Sequence, residues 1–401
     1  MDQLQEFARE EKHHEKPWYI LPLIVFAQFC GTSLWFASNG ILRELSDAFA
    51  LQVNALQHLT SAVQLGFIIG TLVFALLTLA DRFSPSRVFF ISALLGALCN
   101  LGMIWEGNTA YSLMGLRFMT GFFLAGIYPV GMKIASDYYN KGLGTSLGYL
   151  VGALVLGTAF PHLLISTGNT LSWQMVVGIT SLIALLGGIL IAFLPDGPFR
   201  QRMPSLDLSA LIRVFDRSAF RSAAYGYFGH MWELYAFWAF VPLILSTYQE
   251  LNPQADFQIS IWSFLIIGIG GPACVLAGHL SRVLGEKKVA SAALLLSGVC
   301  CLVLPWAFSW PNEVGFLTFM MLWGMVVIAD SPLFSTLVAR NAKLQEKGTG
   351  LTVVTCIGFA ITIISIESLA ALQESFSSPA SYLILALGPA FGLLALLKKR
   401  R

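Results

Sequence analysis

The 401-residue sequence contains very little charge. Only 11% of its residues are Asp, Glu, Lys or Arg, whereas a soluble globular chain carries about 25% of these types. Apolar residues account for 56% of the chain. So few charged side chains cannot cover the surface of a water-soluble protein of this length, and the composition therefore predicts a protein embedded in a lipid bilayer.

Several signatures of soluble function are also missing. The net charge is +2, and no long basic run precedes the last four residues, so we expect no nucleic-acid partner. The six cysteines lie in apolar stretches without metal-ligand spacing, which predicts no metal site. No Gly-x-x-x-x-Gly-Lys-Ser/Thr motif is present, so no nucleotide site in this chain drives its function, and we expect no cofactor. A Gly-x-Ser-x-Gly pattern centred on Ser146 opens a predicted membrane helix instead of the strand-turn-helix that hydrolases require.

The most prominent feature of the sequence is its long apolar runs. A membrane-spanning helix needs about 20 mainly apolar residues, whereas a barrel strand needs about ten that alternate. The sequence therefore predicts an all-α membrane protein with twelve spans, at residues 18–41, 56–80, 87–106, 109–136, 143–166, 172–194, 220–248, 258–281, 288–310, 313–339, 349–372 and 380–397.

The basic residues predict the orientation of these spans. Of the 24 Lys and Arg residues, 22 lie at the two termini or on the even-numbered connections; Arg43 and Arg117 are the other two. Cytoplasmic loops are enriched in Lys and Arg, so both termini are expected in the cytoplasm. We expect a multi-pass protein of a bacterial inner (plasma) membrane.

An internal repeat divides the chain near its midpoint. Tyr128-Pro129 in span four corresponds to Ser331-Pro332 in span ten, and Gly142-Leu-Gly144 before span five corresponds to Gly348-Thr-Gly350 before span eleven. Two pseudo-symmetric six-helix bundles are therefore predicted. The expected segments are a cytoplasmic N-terminal segment (1–17), a first bundle (18–194), a cytoplasmic linker (195–217), a second bundle (218–397) and a basic tail (398–401).

Three motifs resemble those of the major facilitator superfamily. The loop after span two contains Asp81-Arg82 and then Arg87, its counterpart after span eight begins Gly278-His-Leu-Ser-Arg282, and span four contains Leu116-Arg117-Phe-Met-Thr-Gly121. The resemblance implies two six-helix bundles, transport by alternating access, and proton coupling or substrate binding at Arg117. It also implies that the two loops lock the halves together on the cytoplasmic side; residues assigned to this lock are Asp81, Arg82, Arg87, Asp137, Gly278 and Arg282.

Polar residues inside the spans identify the helices expected to line a central cavity. Spans three, six, nine and twelve contain no internal Asp, Glu, Lys, Arg or His, whereas spans four, seven and ten contain such residues. Span one contributes one polar face, because its residues follow in steps of four, three and four: Gln28, Thr32, Trp35 and Asn39. A charge inside a membrane is costly, so Arg117 is either a functional group or part of a structural ion pair.

Span seven carries the second candidate group, in which Tyr227, His230 and Glu233 follow at intervals of three on one helical face. His230 and Glu233 either bind and release a proton during transport, or form a structural hydrogen bond. Asp330 in span ten is either a coupling acid or a partner in the cytoplasmic gate. We further expect Arg117 and Glu233, one from each half, to attract each other across the cavity in the empty protein.

His162 and Glu367 occupy nearly matching positions in spans five and eleven, near the outer face. They are interpreted as an outer gate or as a wetted rim. Together these features predict a gradient-driven, proton-coupled carrier of a small solute, either a symporter or an antiporter. Its expected partners are the solute, protons and the lipid bilayer, and the expected oligomeric state is a monomer. The alternative is a transporter-like membrane receptor, or a membrane-embedded enzyme, without transport activity.

The orientation can be checked by labelling single cysteines with a membrane-impermeant thiol reagent. Cysteines introduced at Ser205 and Gln345 are expected to react only from the cytoplasmic side, because the even-numbered connections that carry them are basic. A cysteine at Asn108 is expected to react only from the outside. The opposite labelling pattern would overturn the predicted orientation.

Overall fold

The structure is a computed structural model, and every regular element among the residues that it describes is helical. It describes residues 18–51, 55–139, 143–166, 171–200, 213–343, 346–376 and 378–397. Within these ranges, eleven helices are long and apolar enough to cross a membrane. The first apolar helix is shorter, with 13 residues. The labelling positions Ser205 and Gln345 lie outside the described residues.

Six membrane helices form the first half of the chain. They are α1 (Ile20–Thr32), α2 (Ala55–Leu76), α3 (Pro85–Leu101), α4 (Ala110–Leu124 and Tyr128–Tyr138), α5 (Leu143–Ser166) and α6 (Trp173–Ala192). Short helices follow α1 at Ala37–Gly40 and Leu42–Phe49, and another follows α2 at Leu79–Arg82.

The second half contains six more. They are α7 (Ser218–Leu251), α8 (Ile259–Gly268 and Gly270–Leu284), α9 (Glu286–Ala307), α10 (Glu313–Ala329 and Ser331–Asn341), α11 (Lys347–Phe376) and α12, which is a 3₁₀ turn (Pro379–Ala386) that continues as an α-helix (Leu387–Leu397). We call the end of the molecule that carries the α2–α3, α8–α9 and α10–α11 connections the basic end, and the opposite end the far end.

The first membrane helix ends earlier than the apolar run predicts. The run extends to residue 41, but α1 ends at Thr32 and the chain turns before Ala37. Two hydroxyls at this point bond to carbonyls of the preceding turn: Thr32 Oγ1 donates to Gln28 O at 2.8 Å, and Ser33 Oγ donates to Cys30 O at 2.7 Å. Side-chain bonds of this kind compete with the helical ladder and favour a bend.

Prolines explain the breaks in two other helices. Pro129 opens the second piece of α4, and Pro332 opens the second piece of α10. Proline has no N–H to donate, and its ring clashes with the carbonyl four residues earlier, so the helix bends in the preceding turn. The two breaks occupy matching positions in the repeat that the sequence predicts.

Packing places α7 at the centre and α12 at the periphery. The most apolar stretch of α7 is 83% buried inside the protein, whereas that of α12 is 33% buried. Most of the packing between helices of the two halves is in two pairs, α2 with α11 and α5 with α8. In the second pair the backbones come close at two glycines: a Cβ at Gly152 would lie 2.9 Å from Gly271 O. Small residues at such contacts allow close helix approach without a hydrophobic driving force.

The same contact recurs in both halves. A Cβ added at Gly121 of α4 would lie 2.0 Å from Val63 O of α2, and one added at Gly324 of α10 would lie 1.9 Å from Ile266 O of α8. Each residue of the second pair is 203 positions after its counterpart in the first. The internal repeat is therefore a repeat of packing geometry as well as of sequence.

In the structure, Asn108 is a poor position for a labelling cysteine. Asn108 is buried, and its Nδ2 donates to Gly102 O at 2.9 Å, to Met103 O at 3.1 Å and to Trp105 O at 2.9 Å. A cysteine there would remove these bonds from the turn between α3 and α4. The neighbouring Glu106 is exposed and is the better position for the probe at the far end.

The repeated glycine contact predicts a sharp difference between alanine substitutions. Gly121→Ala and Gly324→Ala are each expected to destabilise the protein by about 1–3 kcal/mol, because the new methyl group meets a backbone carbonyl that cannot rotate away. Gly115→Ala on the same helix is the control, since nothing lies within 4 Å of a Cβ at that position. Thermal unfolding in detergent measures the effect. Equal melting temperatures for all three variants would contradict the described packing.

Candidate functional site

Arg117 of α4 supports the break after α1. Its guanidinium donates to Leu34 O at 2.9 Å through Nη1 and to Trp35 O through Nη2. The side chain is fully buried. Backbone carbonyls released from a helix need a donor where water is absent, and a charged donor gives a strong bond. Arg117 therefore holds the turn at Leu34 and Trp35 in place.

Asn100 of α3 orients the same guanidinium. Its Oδ1 accepts from Arg117 Nη1 at 3.3 Å, while its Nδ2 donates to Ser181 Oγ at 2.9 Å and to Thr180 Oγ1 at 3.2 Å, both on α6. Donation through Nδ2 fixes the amide so that its oxygen faces Arg117. All hydrogen-bond partners of Arg117 in the described structure are neutral.

Glu233 of α7 occupies a separate polar cluster inside the second half. Its Oε1 accepts from Trp323 Nε1 of α10 at 2.7 Å and from Cys301 Sγ of α9 at 3.2 Å. Its Oε2 accepts from Ser297 Oγ of α9 at 2.9 Å. The predicted attraction between Arg117 and Glu233 is therefore wrong for this conformation, because the hydrogen bonds of each group among the described residues go to neutral partners within its own half.

His230 pairs with Asp330 rather than with Glu233. The His230 Nδ1 atom lies 2.8 Å from Asp330 Oδ1, and both side chains are 1% exposed. Asp330 stands at the break between the two pieces of α10, where the chain crosses α7. The other ring nitrogen of His230, Nε2, has no hydrogen-bond partner among the described residues. Spacing along α7 placed His230 and Glu233 near each other on one helix, but the choice of partner depends on α10.

Aromatic rings fill the interface between the two halves. Trp35 stacks on Phe359 of α11, with ring centroids 5.5 Å apart, and lies 5.8 Å from the ring of Tyr235 on α7. Phe67 of α2 lies 4.5 Å from Phe359. Next to these rings is a cavity of about 20 Å³, lined by Tyr128, Val151, Leu154, Tyr227, Met231, Leu234, Tyr235, Ile328, Ser331 and Phe359. A water molecule needs about 10–15 Å³, so this cavity is too small for a metabolite in this conformation.

Helices α2 and α11 are tied together at the far end. Ser61 Oγ donates to Glu367 Oε1 at 2.7 Å, and His58 Nδ1 lies 3.7 Å from the same oxygen. The side chains of His58 and Glu367 are 42% and 38% exposed. We call these three residues the far-end latch. Glu367 was predicted near the outer face together with His162, and its contacts in the structure are with α2. His162 of α5 is buried, and its Nε2 has no partner among the described residues.

Ion pairs at the basic end connect elements of one half. Lys133 Nζ of α4 lies 3.0 Å from Asp81 Oδ1 and 3.6 Å from Asp137 Oδ1. Arg200 donates to Phe83 O at 2.7 Å and to Asp81 O at 3.2 Å, and it pairs with Asp196. Within the described residues, these contacts all lie in the first half and the start of the linker.

The second half and the end of the linker have their own pairs at this end. Arg213 Nε lies 2.9 Å from Glu346 Oε1, and Arg340 pairs with Glu286. Gly278 is buried in α8, whereas Arg82 and Arg87 are exposed. The lock between halves that includes Arg282 stays a prediction, to be tested in another conformation.

The remaining predicted residues lie at the interior of the protein. Gln28 and Asn39 are buried; Asn39 Nδ2 donates to Thr60 Oγ1 at 3.1 Å, and neither amide atom of Gln28 has a partner among the described residues. Tyr227 lines the cavity. The polar face predicted for span one is interrupted at Trp35 by the turn after α1.

Several partners of the buried charges were not identified from the sequence. They are neutral residues on spans without internal charge, or aromatic residues that resemble ordinary core: Asn100, Ser297, Cys301 and Trp323. Counting charged residues alone overlooked them. Asn100 carries the one usable signal, since an amide inside an apolar run requires buried partners.

Comparisons with known proteins agree with this architecture. The family model of the Major Facilitator Superfamily matches residues 24–366. A solved structure of a proton:xylose symporter of that superfamily, bound to 6-bromo-6-deoxy-D-glucose, superposes with a TM-score of 0.71 over 94% of each chain at 14% identity. An uncharacterized transporter of Schizosaccharomyces pombe is 27% identical over 204 residues, which cover 48% of this chain and 37% of the yeast protein. The chain thus matches little more than a third of that relative's length.

The far-end latch predicts that weakening the α2–α11 contact opens the interface. In a protein whose single cysteine is Cys356, which lies on α11 with its Sγ 3.9 Å from Ile68 O of α2, Ser61→Ala is expected to accelerate thiol labelling roughly fivefold, because a hydrogen bond to a charged group is lost. Ser309→Ala at the same end is the control, since its hydroxyl bonds to Trp306 O within its own turn. An unchanged labelling rate for Ser61→Ala would contradict the latch.

Proposed function

Since the chain belongs to the major facilitator superfamily, with residues 24–366 matching the family model, we propose that this membrane transporter carries a small solute by alternating access and couples that movement to protons. The proposal concerns the coupling, the mode of transport and the residues responsible. The two halves are the moving bodies, and the interface between them is the path of the solute.

The small size of the cavity between the two halves supports alternating access. The central cavity of about 20 Å³ has no room for a metabolite, so solute must enter a conformation in which the halves have separated at one end. The contacts between halves are suited to such a motion. At the α5–α8 pair, Gly152 and Gly271 have no side chains of their own to oppose sliding of the two backbones.

The His230–Asp330 pair carries the proposal of proton coupling. It joins α7 to the break in α10, and the neighbouring residues Tyr227, Met231 and Ser331 line the cavity. A proton added to this pair changes the strength of a contact that crosses two helices, and a helix break is the place where such a change can alter backbone geometry. The pair thus combines two features expected of a coupling site, a position next to residues that line the cavity and contact with an element that bends.

Glu233 is the second candidate for the coupling acid. Its carboxylate accepts three bonds from α9 and α10 donors, which hold it away from the interface between halves. We assign Glu233 to positioning α7 against α9 and α10. Arg117 has the corresponding task in the first half, where it holds the backbone of Trp35.

The other parts of the proposal rest on the distribution of charge. The basic connections favour cytoplasmic termini and a position in a bacterial inner membrane. We propose that the protein acts as a monomer, since each half supplies its partner within the same chain. The receptor and enzyme alternatives differ from this proposal in one measurable property, because only a carrier exchanges labelled solute across a membrane.

Transport in proteoliposomes tests both the carrier and its coupling. Wild-type protein is expected to show counterflow of a transported solute and to accumulate it under a proton gradient. The amide in Asp330→Asn cannot bind and release a proton as a carboxyl group does. This variant is expected to lose accumulation, by about tenfold or more, and to keep counterflow. Glu233→Gln keeps the size of the side chain and serves as the matched control, with accumulation expected to remain.

Each alternative has its own outcome. Absence of counterflow by the wild type, for every solute of a broad panel, would favour the receptor or enzyme. Accumulation by Asp330→Asn with wild-type pH dependence would remove Asp330 from the coupling site, and loss of accumulation in Glu233→Gln alone would transfer that role to Glu233.

A further inference from the structure

The rings between the two halves form a continuous cluster. Trp35, Phe67 and Phe359 are in mutual contact, with Tyr235 against both Trp35 and Phe359. Trp238 extends the cluster, since its ring lies 5.2 Å from that of Tyr235. The cluster contains residues of both halves, so alternating access must separate some of these rings in each cycle. We call these five residues the aromatic cluster.

The aromatic cluster contains buried donors without acceptors. Trp35 Nε1 and Trp238 Nε1 have no hydrogen-bond partner among the described residues, although the two side chains are 1% and 0% exposed. A buried indole N–H usually finds a partner. Trp238 lies on α7 and Trp35 lies in the turn after α1, and both segments face the interface. A hydrogen-bond acceptor that enters between the halves can therefore reach the two indoles.

Gln64 adds a third unpartnered group beside the cluster. It is fully buried on α2, three residues before Phe67 and on the same helical side, and neither of its amide atoms has a hydrogen-bond partner among the described residues. Three side chains on three segments, in or next to the aromatic cluster, therefore have unused hydrogen-bonding capacity within the described structure. A ligand that forms hydrogen bonds with these side chains explains why polar atoms are retained among the aromatic rings.

Charges near the cluster are already committed to other partners. Arg117 donates to the carbonyls behind Trp35, and His230 pairs with Asp330 on the other side of Tyr227. Arg117 and Asp330 thus lie on opposite sides of the cluster. Each is bound to other groups, and neither is available as an ion-pair partner for a solute among the rings. A neutral solute fits this arrangement better than an anion or a cation does.

We propose that the solute is a neutral, planar aromatic compound that stacks in the aromatic cluster and accepts hydrogen bonds from Trp35 and Trp238. This inference rests on the proposed function, because it requires the interface to open and admit a solute. Sugars need many hydrogen-bonding groups around their ring, whereas the interior described here offers mainly faces of aromatic rings. The expected substrate class therefore differs from that of the xylose symporter with the same fold.

Binding of three radiolabelled probes to the full chain in nanodiscs tests the proposal, with empty nanodiscs subtracted to remove partitioning into lipid. Quinoline is a neutral bicyclic ring with one acceptor nitrogen, naphthalene has the same shape without an acceptor, and xylose represents a sugar. Saturable binding of quinoline is expected, with naphthalene binding about fivefold to tenfold more weakly because it cannot accept a hydrogen bond, and with no saturable binding of xylose.

Two variants separate stacking from hydrogen bonding. The double variant Trp35→Phe, Trp238→Phe keeps the rings and removes the donors, so quinoline is expected to bind as weakly as naphthalene, while naphthalene binding stays unchanged and reports an intact site. Phe359→Leu is expected to weaken both aromatic probes. Trp306→Phe is the control, since Trp306 is exposed on α9.

Three results would overturn the proposal: tighter binding of xylose than of quinoline, no saturable binding of quinoline, or a preference for quinoline that survives in the double variant. Failure of the proposed function has a different signature. If the three probes behave as expected but no labelled solute shows counterflow, the aromatic site stands and the assignment as a carrier is wrong.

Discussion

The interaction on which the rest of the structure depends is the bond between a buried guanidinium and two backbone carbonyls. Inside a bilayer no water is available to satisfy a carbonyl that leaves a helix. Arg117 supplies that donor to Leu34 and Trp35, and the turn after α1 can therefore exist in the interior of the protein. The position of the Trp35 ring, and through it the contact with Phe359 and Tyr235, follows from this turn.

The two halves share a geometry but differ in chemistry. The contact of Gly121 with Val63 recurs at Gly324 and Ile266, and Trp35 corresponds to Trp238 at the same separation of 203 positions. The first half then places a cation against backbone carbonyls, whereas the second half places the Glu233 carboxylate against neutral donors. A shared scaffold with different charges allows one half to support a bend and the other to keep α7 continuous.

Some unpartnered polar atoms lie where the halves meet. Buried polar groups are nearly always hydrogen-bonded in stable proteins, yet Trp35, Gln64 and Trp238 have atoms without a hydrogen-bond partner among the described residues. This conformation thus retains polar groups that another conformation, or a ligand, can satisfy. This is a physical basis for a state that exchanges readily with open ones, since each unmade bond lowers the cost of separating the halves.

The sequence by itself determined the solvent, the number of helices and the repeat. Apolar runs, proline positions and the Asp81-Arg82 and Arg117 motifs are local patterns, and the family match and the twelve-helix architecture agree with what they predict. Hydropathy determines these properties because every span must satisfy its own backbone in lipid. The sequence also identified Arg117, His230, Glu233 and Asp330 as buried polar residues that require partners.

Only the tertiary structure decided which partners these residues have. His230 and Glu233 are three positions apart on α7, yet one contacts Asp330 and the other contacts Trp323, because neighbouring turns of a helix face different helices in a bundle. The turn after α1 was hidden for the same reason: its carbonyls are satisfied by a side chain 82 or 83 positions away. Hydrogen bonds between distant segments depend on how helices pack, and periodicity within one segment contains no information about the segment opposite.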